Sequence, residues 1–135
     1  MELNLPQPTA LLYEIRDPAR LNRIRRYLEG AGIRALTVEA NQLRQPIGAL
    51  LGLPGFAEAP ELLPAALGEE MLVMYGFRGR MLGELLAFFR QECPPGVSLK
   101  AMVTSTNVNW SSLALFEELR RERAYFQSQA KAKEK

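Results

Sequence analysis

Histidine is absent from this sequence, and cysteine occurs once, as Cys93. The absence of histidine excludes a histidine-based catalytic triad and histidine metal ligands, and it removes the commonest general base near neutral pH. A single cysteine cannot form an internal disulfide, a zinc ribbon or an iron–sulfur framework. We therefore predict neither a metal site nor a cofactor, and these absences argue against an enzyme.

Long apolar runs and a strong charge of one sign are also missing. No apolar stretch approaches the roughly 20 residues that a membrane-spanning helix needs. The first ten residues, MELNLPQPTA, lack the basic region and apolar core of a signal peptide. The formal net charge is only +2. The overall charge therefore does not indicate a nucleic acid or a membrane as partner. We expect a cytoplasmic protein.

The apolar and turn residues that are present divide the chain into two similar halves. We predict one α/β domain over residues 1–127, with β-α-β-α halves at 10–52 and 71–127 and a flexible polar tail at 128–135. The predicted strands are 10–15, 33–38, 71–75 and 97–104, and the predicted helices begin at Asp17-Pro18, after Gln45-Pro46, near 80 and near 109–111. We expect the last helix to end near Phe126 and to bury that residue. Residues 39–70 contain three closely spaced breakers (Pro60, Pro64 and Gly68), so we expect a loop with short helical turns there.

Two strand arrangements fit this pattern. The first is a four-stranded, mainly parallel sheet of order 2-1-3-4 with helices packed on it. The second is a ferredoxin-like α+β fold with an extra C-terminal helix. The 32 residues from 39 to 70 are long for a hairpin and comfortable for a crossover, which favours the first arrangement.

Three motifs in the C-terminal half resemble a known family. They are MYGFRGRMLGELL, LKAMVTSTNVNWSS and LFEELRRERAYF, within residues 71–127. The stretch resembles a family of small bacterial proteins known as domain of unknown function 3783. The resemblance implies a bacterial, cytosolic protein, and it carries no reaction, ligand or catalytic residue with it.

The sharpest candidate site is the turn from Gly76 to Gly79. In a parallel sheet it would lie beside Arg16, at the point where open α/β sheets take ligands. Backbone N–H groups at the start of the following helix, together with Arg78, would suit a phosphate or carboxylate. The simpler interpretation is that Gly76 and Gly79 only permit a tight turn.

A second polar cluster follows the fourth strand. Thr104, Asn107 and Asn109 are predicted to line the same edge as Gly76, with Trp110 as an aromatic wall. Helix capping, with Asn109 as the cap, is the simpler interpretation. The full predicted ligand-binding set is Arg16, Gly76, Arg78, Gly79, Thr104, Asn107, Asn109 and Trp110.

These features favour a non-catalytic binding domain that accepts a small anion or a protein partner at the C-terminal edge of the sheet. One alternative is an enzyme acting on a phosphorylated or acyl substrate through Asp17, Thr104 or Lys100. Another is a nucleic-acid accessory protein that uses the arginine-rich first helix, although we expect no nucleic-acid partner because that helix face is typical of a solvated surface. The small residues Gly83 and Ala87 would also allow a homo-oligomer to form through their helix face.

Overall fold

The computed structural model describes residues 6–59 and 63–133. Four strands alternate with four helices along the chain. In order they are β1 (Thr9–Tyr13), α1 (Pro18–Gly30), β2 (Arg34–Val38), α2 (Ile47–Leu50), β3 (Met71–Tyr75), α3 (Met81–Glu92), β4 (Leu99–Met102) and α4 (Ser112–Lys133). Single 3-10 turns precede α2 and α4, at Ala40–Gln42 and Asn107–Asn109.

The strands form one sheet of order β2-β1-β3-β4. The outer pairs, β1 with β2 and β3 with β4, are parallel, whereas the central pair is antiparallel, with Thr9 opposite Tyr75 and Tyr13 opposite Met71. The predicted α/β class, mainly parallel sheet and strand order are confirmed, and the ferredoxin-like alternative is not observed. The last residue of β2, Val38, and the first residue of β3, Met71, both lie beside Tyr13. Residues 39–70 therefore start and finish at the same end of the sheet, and this makes the central pair antiparallel.

The two halves repeat the same order of elements and lie on either side of the antiparallel β1–β3 pair. Tyr13 and Tyr75 end the first strand of each half, and the next residue in each case has a positive φ, 53° at Glu14 and 75° at Gly76. The halves also meet around Pro46 and Ser111, which form an antiparallel bridge. The predicted pair of β-α-β-α halves is therefore present as a structural repeat.

Helices cover both faces of the sheet, so β1 and β3 are buried on both sides. On one face α1 and α3 contribute Ile24, Leu28, Leu85 and Phe88 to the core. On the other face α2 and α4 contribute residues such as Ile47, Leu115 and Phe116, and Leu51, directly after α2, joins them. The helix starts follow the predicted local chemistry, since the Asp17 carboxylate accepts a 3.1 Å hydrogen bond from the Ala19 N–H and Pro18 occupies the first turn of α1.

Helix α4 extends further than its sequence suggests. It continues to Lys133, through most of the predicted tail, and residues 134–135 lie outside the described part of the chain. Phe126 is 67% exposed, so the prediction that it is buried was wrong. Arg123 contacts Glu69 and Ser98, which lie just before β3 and β4, and the helix continues for ten residues beyond Arg123. The helical turn predicted at 60–67 is absent over residues 63–67, and residues 60–62 lie outside the described residues.

Candidate functional site

The predicted ligand edge is divided between the two ends of the sheet. Arg16 follows β1 at the end where β1 and β2 finish. The turn from Gly76 to Gly79 lies at the opposite end, because the antiparallel pairing sets Tyr75 beside Thr9. The predicted juxtaposition of Arg16 with Gly76 is therefore wrong. It depended on a parallel central pair, in which both strands would end together.

The Gly76–Gly79 turn holds the segment that enters β1. Both glycines have positive φ, 75° and 55°, a conformation that glycine adopts without steric penalty. A Cβ at Gly76 would lie 3.5 Å from the Pro8 Cα. The Arg78 guanidinium donates to the carbonyl oxygens of Pro6 and Gly76, at 3.0 and 3.4 Å. Arg78 thus binds the chain's own backbone at the place where an anion was predicted.

Arg16 also contacts its own chain. Its guanidinium donates a 3.1 Å hydrogen bond to the Glu14 carboxylate. That carboxylate also accepts hydrogen bonds from the N–H groups of Leu67 and Gly68. Glu14 therefore fastens the returning loop to the end of β1. Its role could not be read from the sequence, because a positive φ at a non-glycine residue has no reliable local signal.

Asn107 organises the polar turn after β4. Its buried side chain accepts from the Thr104 N–H at 2.8 Å and donates to the Met102 carbonyl oxygen at 3.0 Å. Asn109 instead donates to the Ser105 carbonyl oxygen at 3.2 Å. The hydroxyl of Ser111 accepts from the Ala114 N–H at 3.1 Å, so Ser111, and not Asn109 as predicted, caps α4.

Three of the predicted site residues share a cleft between the edge strand β4 and α4. This β4–α4 cleft has a volume of about 340 Å³. Apolar side chains from Trp110, Leu115 and Leu119 line it together with carboxylates on α4. The complete lining is Lys100, Ala101, Thr104, Thr106, Asn107, Trp110, Leu115, Glu118, Leu119 and Glu122. The sequence analysis did not place Glu118 and Glu122 in the site, because the face they present depends on how α4 packs.

A second cleft lies on the other side of β4, against α3. This β4–α3 cleft has a volume of about 460 Å³. Leu86, Phe89, Arg90, Pro94, Pro95, Gly96 and Lys100 line it. Lys100 therefore belongs to both clefts. It is half-buried, its ammonium donates to the Val97 carbonyl oxygen, and partial burial lowers the pKa of Lys100.

The adjacent residues Glu69 and Glu70 bind arginines of different helices. The Arg20 guanidinium makes two 2.9 Å hydrogen bonds to Glu70, and Arg123 makes two of 2.8 Å to Glu69. These bonds hold α1 and α4 to the start of β3. The Arg20 side chain is only 16% exposed, so the arginine-rich first helix, predicted to present a solvated face, is not solvated at this position. Hydrogen bonding to Arg123 lowers the pKa of Glu69.

Cys93 is buried beside the first of these pairs. It is 2% exposed, and Arg20 donates to its carbonyl oxygen at 3.4 Å and its sulfur at 3.5 Å.

Within residues 6–59 and 63–133, no group of three or more acidic or cysteine side chains is arranged to hold a metal ion. Over the same residues, no helix has the length and apolar content to cross a membrane.

Comparison with known proteins gives one result. No curated protein and no solved structure matches the chain. The model of the family described as Domain of unknown function (DUF3783) matches residues 70–126. The match begins just before β3 and ends in the exposed part of α4, so it includes the β4–α4 cleft. It confirms that the C-terminal half of this protein is similar to that family.

Proposed function

We propose that this protein is a non-catalytic interaction domain of the bacterial cytoplasm that binds a protein partner in the β4–α4 cleft. One observation carries the proposal: the cleft combines an apolar lining from Trp110 and Leu119 with polar groups at its margin. An aromatic and aliphatic surface bordered by polar side chains is typical of sites that bind polypeptides.

The charges of the cleft favour a protein partner over a small anion. Glu118 and Glu122 both line it, and the one cation, Lys100, is held by the Val97 carbonyl oxygen. Like charges brought together on binding are unfavourable, so an anion would meet repulsion from these carboxylates, from Glu122 more than from Glu118, which binds Arg121 at 3.0 Å. The arginines predicted to attract an anion, Arg16 and Arg78, are outside the cleft.

A selection experiment tests the proposal. A library of random twelve-residue peptides displayed on phage would be selected against the immobilised full chain. We expect the selected peptides to bind in the cleft and to change the fluorescence of Trp110, the single tryptophan. Because Glu122 is exposed and lines the cleft, Glu122→Lys should weaken their binding about tenfold, which corresponds to about 1.4 kcal/mol.

Glu117→Lys is the matched control. Glu117 is exposed on the same helix but does not line the cleft, so this variant should bind the selected peptides as the parent does. Equal loss in both variants would contradict a site in the cleft.

A melting-temperature screen against nucleotides, sugar phosphates and simple anions tests the alternative ligand class. A thermal shift with an anion that Arg78→Ala abolishes would place the ligand at the Gly76 turn instead.

A further inference from the structure

Over residues 6–59 and 63–133, no strand lies beside the outer edge of β4. In the parallel pairing with β3, Met74 lies opposite Met102, and the Val103 N–H donates to the Met74 carbonyl oxygen at 2.8 Å. Backbone groups alternate in direction along a strand, so the N–H and C=O of Lys100 and of Met102 point outward. Asn107 already donates to the Met102 carbonyl oxygen. Among the described residues, the N–H and C=O of Lys100 and the N–H of Met102 therefore remain for another strand.

The two clefts lie on opposite sides of this edge. Helix α4 borders the first and helix α3 borders the second, and Lys100 on β4 contributes to both. Successive side chains of an added strand would point to opposite faces of the sheet. One set would enter the β4–α4 cleft and the alternate set would enter the β4–α3 cleft.

We infer that β4 is the docking edge for an extended peptide segment of the protein partner, which adds to the sheet as a fifth strand. This inference rests on the proposed function and specifies how the partner binds. In strand addition the main-chain hydrogen bonds supply affinity, while pockets for alternate side chains supply specificity.

Charge complementarity defines the side chains of the segment. Glu122 suits a lysine or arginine in the β4–α4 cleft, and Glu118, which already binds Arg121 at 3.0 Å, adds a second carboxylate to the lining. The β4–α3 cleft is lined by Leu86, Phe89 and prolines, with the cation Arg90 beside them, so it suits an apolar side chain and repels a basic one. The partner segment therefore alternates basic and apolar residues.

The opposite edge of the sheet is less open. On β2 the Arg25 guanidinium donates to the Thr37 hydroxyl at 2.7 Å and to the Ala35 carbonyl oxygen at 3.5 Å. Groups of an edge strand that a side chain of the same protein already occupies are not available to an added strand. On β4 the charged side chain, Lys100, donates to the carbonyl oxygen of Val97, which lies before the strand, and within the described residues no arginine contacts the β4 backbone. The edge of β4 is thus the better docking edge.

A second copy of the chain fits the edge less well. Lys100 and Met102 lie on one face of β4, and the intervening residue, Ala101, has only a methyl group to offer the other face. Leu99 is 3% exposed in its own core and is not available to a neighbour. A paired β4 from another copy would therefore leave one cleft without a substantial side chain.

The test uses the full chain and a synthetic peptide, acetyl-TLKLKT-amide, whose leucines and lysines alternate. Binding is measured by Trp110 fluorescence and by calorimetry. Two further peptides carry N-methyl groups on either the two leucines or the two lysines. Because only one set of N–H groups faces β4, we expect one N-methylated peptide to bind at least tenfold more weakly and the other to bind like the parent. A peptide with glutamates in place of lysines should also bind at least tenfold more weakly.

Protein variants provide a second comparison. Lys100→Pro removes the outward N–H, whereas Lys100→Ala keeps it, so the proline variant should show the larger loss of binding. If Lys100→Pro fails to fold, as judged by circular dichroism, the pair of N-methylated peptides still decides the outcome.

Each contrary result has a separate meaning. Peptide binding that is sensitive to Glu122→Lys but equal for both N-methylated peptides would overturn strand addition and leave the proposed cleft function in place. Failure of acetyl-TLKLKT-amide and of every selected peptide to bind the folded chain would overturn both. A dimer in solution that Lys100→Pro dissociates would assign the edge to a second copy and overturn the inference.

Discussion

Two helical glycines show how the surroundings of a residue decide its role. A Cβ added to Gly48 in α2 would lie 2.5 Å from the Phe56 ring, a distance that real Cβ atoms do not adopt. A Cβ added to Gly83 in α3 would meet no atom within 4 Å. The same residue type therefore permits a close contact at one position and leaves open space at the other.

The pair predicts opposite effects of alanine. Gly48→Ala should lower the free energy of unfolding by about 1–3 kcal/mol, because the added methyl group overpacks the Phe56 ring. Gly83→Ala should raise it by about 0.5 kcal/mol, since alanine favours the helix and is sterically accommodated. Urea unfolding of both variants measures the two changes, and destabilisation by Gly83→Ala would contradict the open surroundings of that residue.

Gly83 also tests the predicted homo-oligomer. If the Gly83/Ala87 face binds a second copy, the added methyl group would widen that contact and lower the mass measured in solution. A mass that does not change between parent and Gly83→Ala would place any self-association elsewhere.

At the scale of elements, an ion pair near the middle of α4 joins this helix to Glu69, just before β3. Arg123 binds Glu69 through two hydrogen bonds of 2.8 Å, and it also donates to the Ser98 hydroxyl at 3.1 Å. Beyond this point Tyr125 and Phe126 are 60% and 67% exposed. Their rings contact each other edge to face, with centroids 5.7 Å apart. The first half of α4 belongs to the core, and the second half projects from it.

The ion pair predicts a dependence of stability on pH. Because Arg123 lowers the folded-state pKa of Glu69, the pair's contribution is complete above the unfolded pKa of about 4.3 and is lost as the pH falls through the lower folded value. Carboxyl NMR titration should give a pKa for Glu69 below about 4.3 in the parent and near it in Arg123→Ala.

Arg121→Ala is the control for that titration. Arg121 pairs with Glu118 at 3.0 Å and is 73% exposed, so its removal should leave the Glu69 titration unchanged. A parent pKa for Glu69 at the ordinary value would show that the bidentate contact is not kept in solution.

At the scale of the whole molecule, a buried side-chain hydrogen bond adds to the β1–β3 pairing that joins the two halves. The Tyr13 hydroxyl of β1 lies 2.7 Å from the Ser112 hydroxyl of α4, and both residues are fully buried. Burial raises the pKa of Tyr13, so the phenol stays protonated and available as a donor. The bond crosses from the first half of the chain to the second.

Removing one partner of this bond should destabilise the protein. Tyr13→Phe and Ser112→Ala should each lower the free energy of unfolding by about 1–2 kcal/mol. Each substitution removes one hydroxyl and leaves the other buried hydroxyl without its hydrogen-bond partner. The double variant should lose less than the sum, with a coupling of about 0.5–1 kcal/mol. Denaturant unfolding measures the cycle, and strict additivity would show that the two hydroxyls do not interact.

The strand order and the two halves could be predicted because the sequence features that indicate them lie close together along the chain. Apolar strands such as 71–75, the Asp17-Pro18 cap and the short crossovers within each half determine the β-α-β units. The direction of the central pair has no such signal. It depends on where the long segment 39–70 returns, and contacts as distant as those of Glu14 with Leu67 and Gly68 decide this.

The candidate site was predicted in part for the same reason. Thr104, Asn107 and Trp110 follow one strand, so their proximity is local and the structure keeps it. Arg16 and Gly76 are distant in sequence, and the antiparallel central pair separates them. By itself the sequence determined the fold class, the strand order and the polar turn after β4. Only the tertiary structure decided which groups share a cleft, because that depends on strand direction and on the packing of α4.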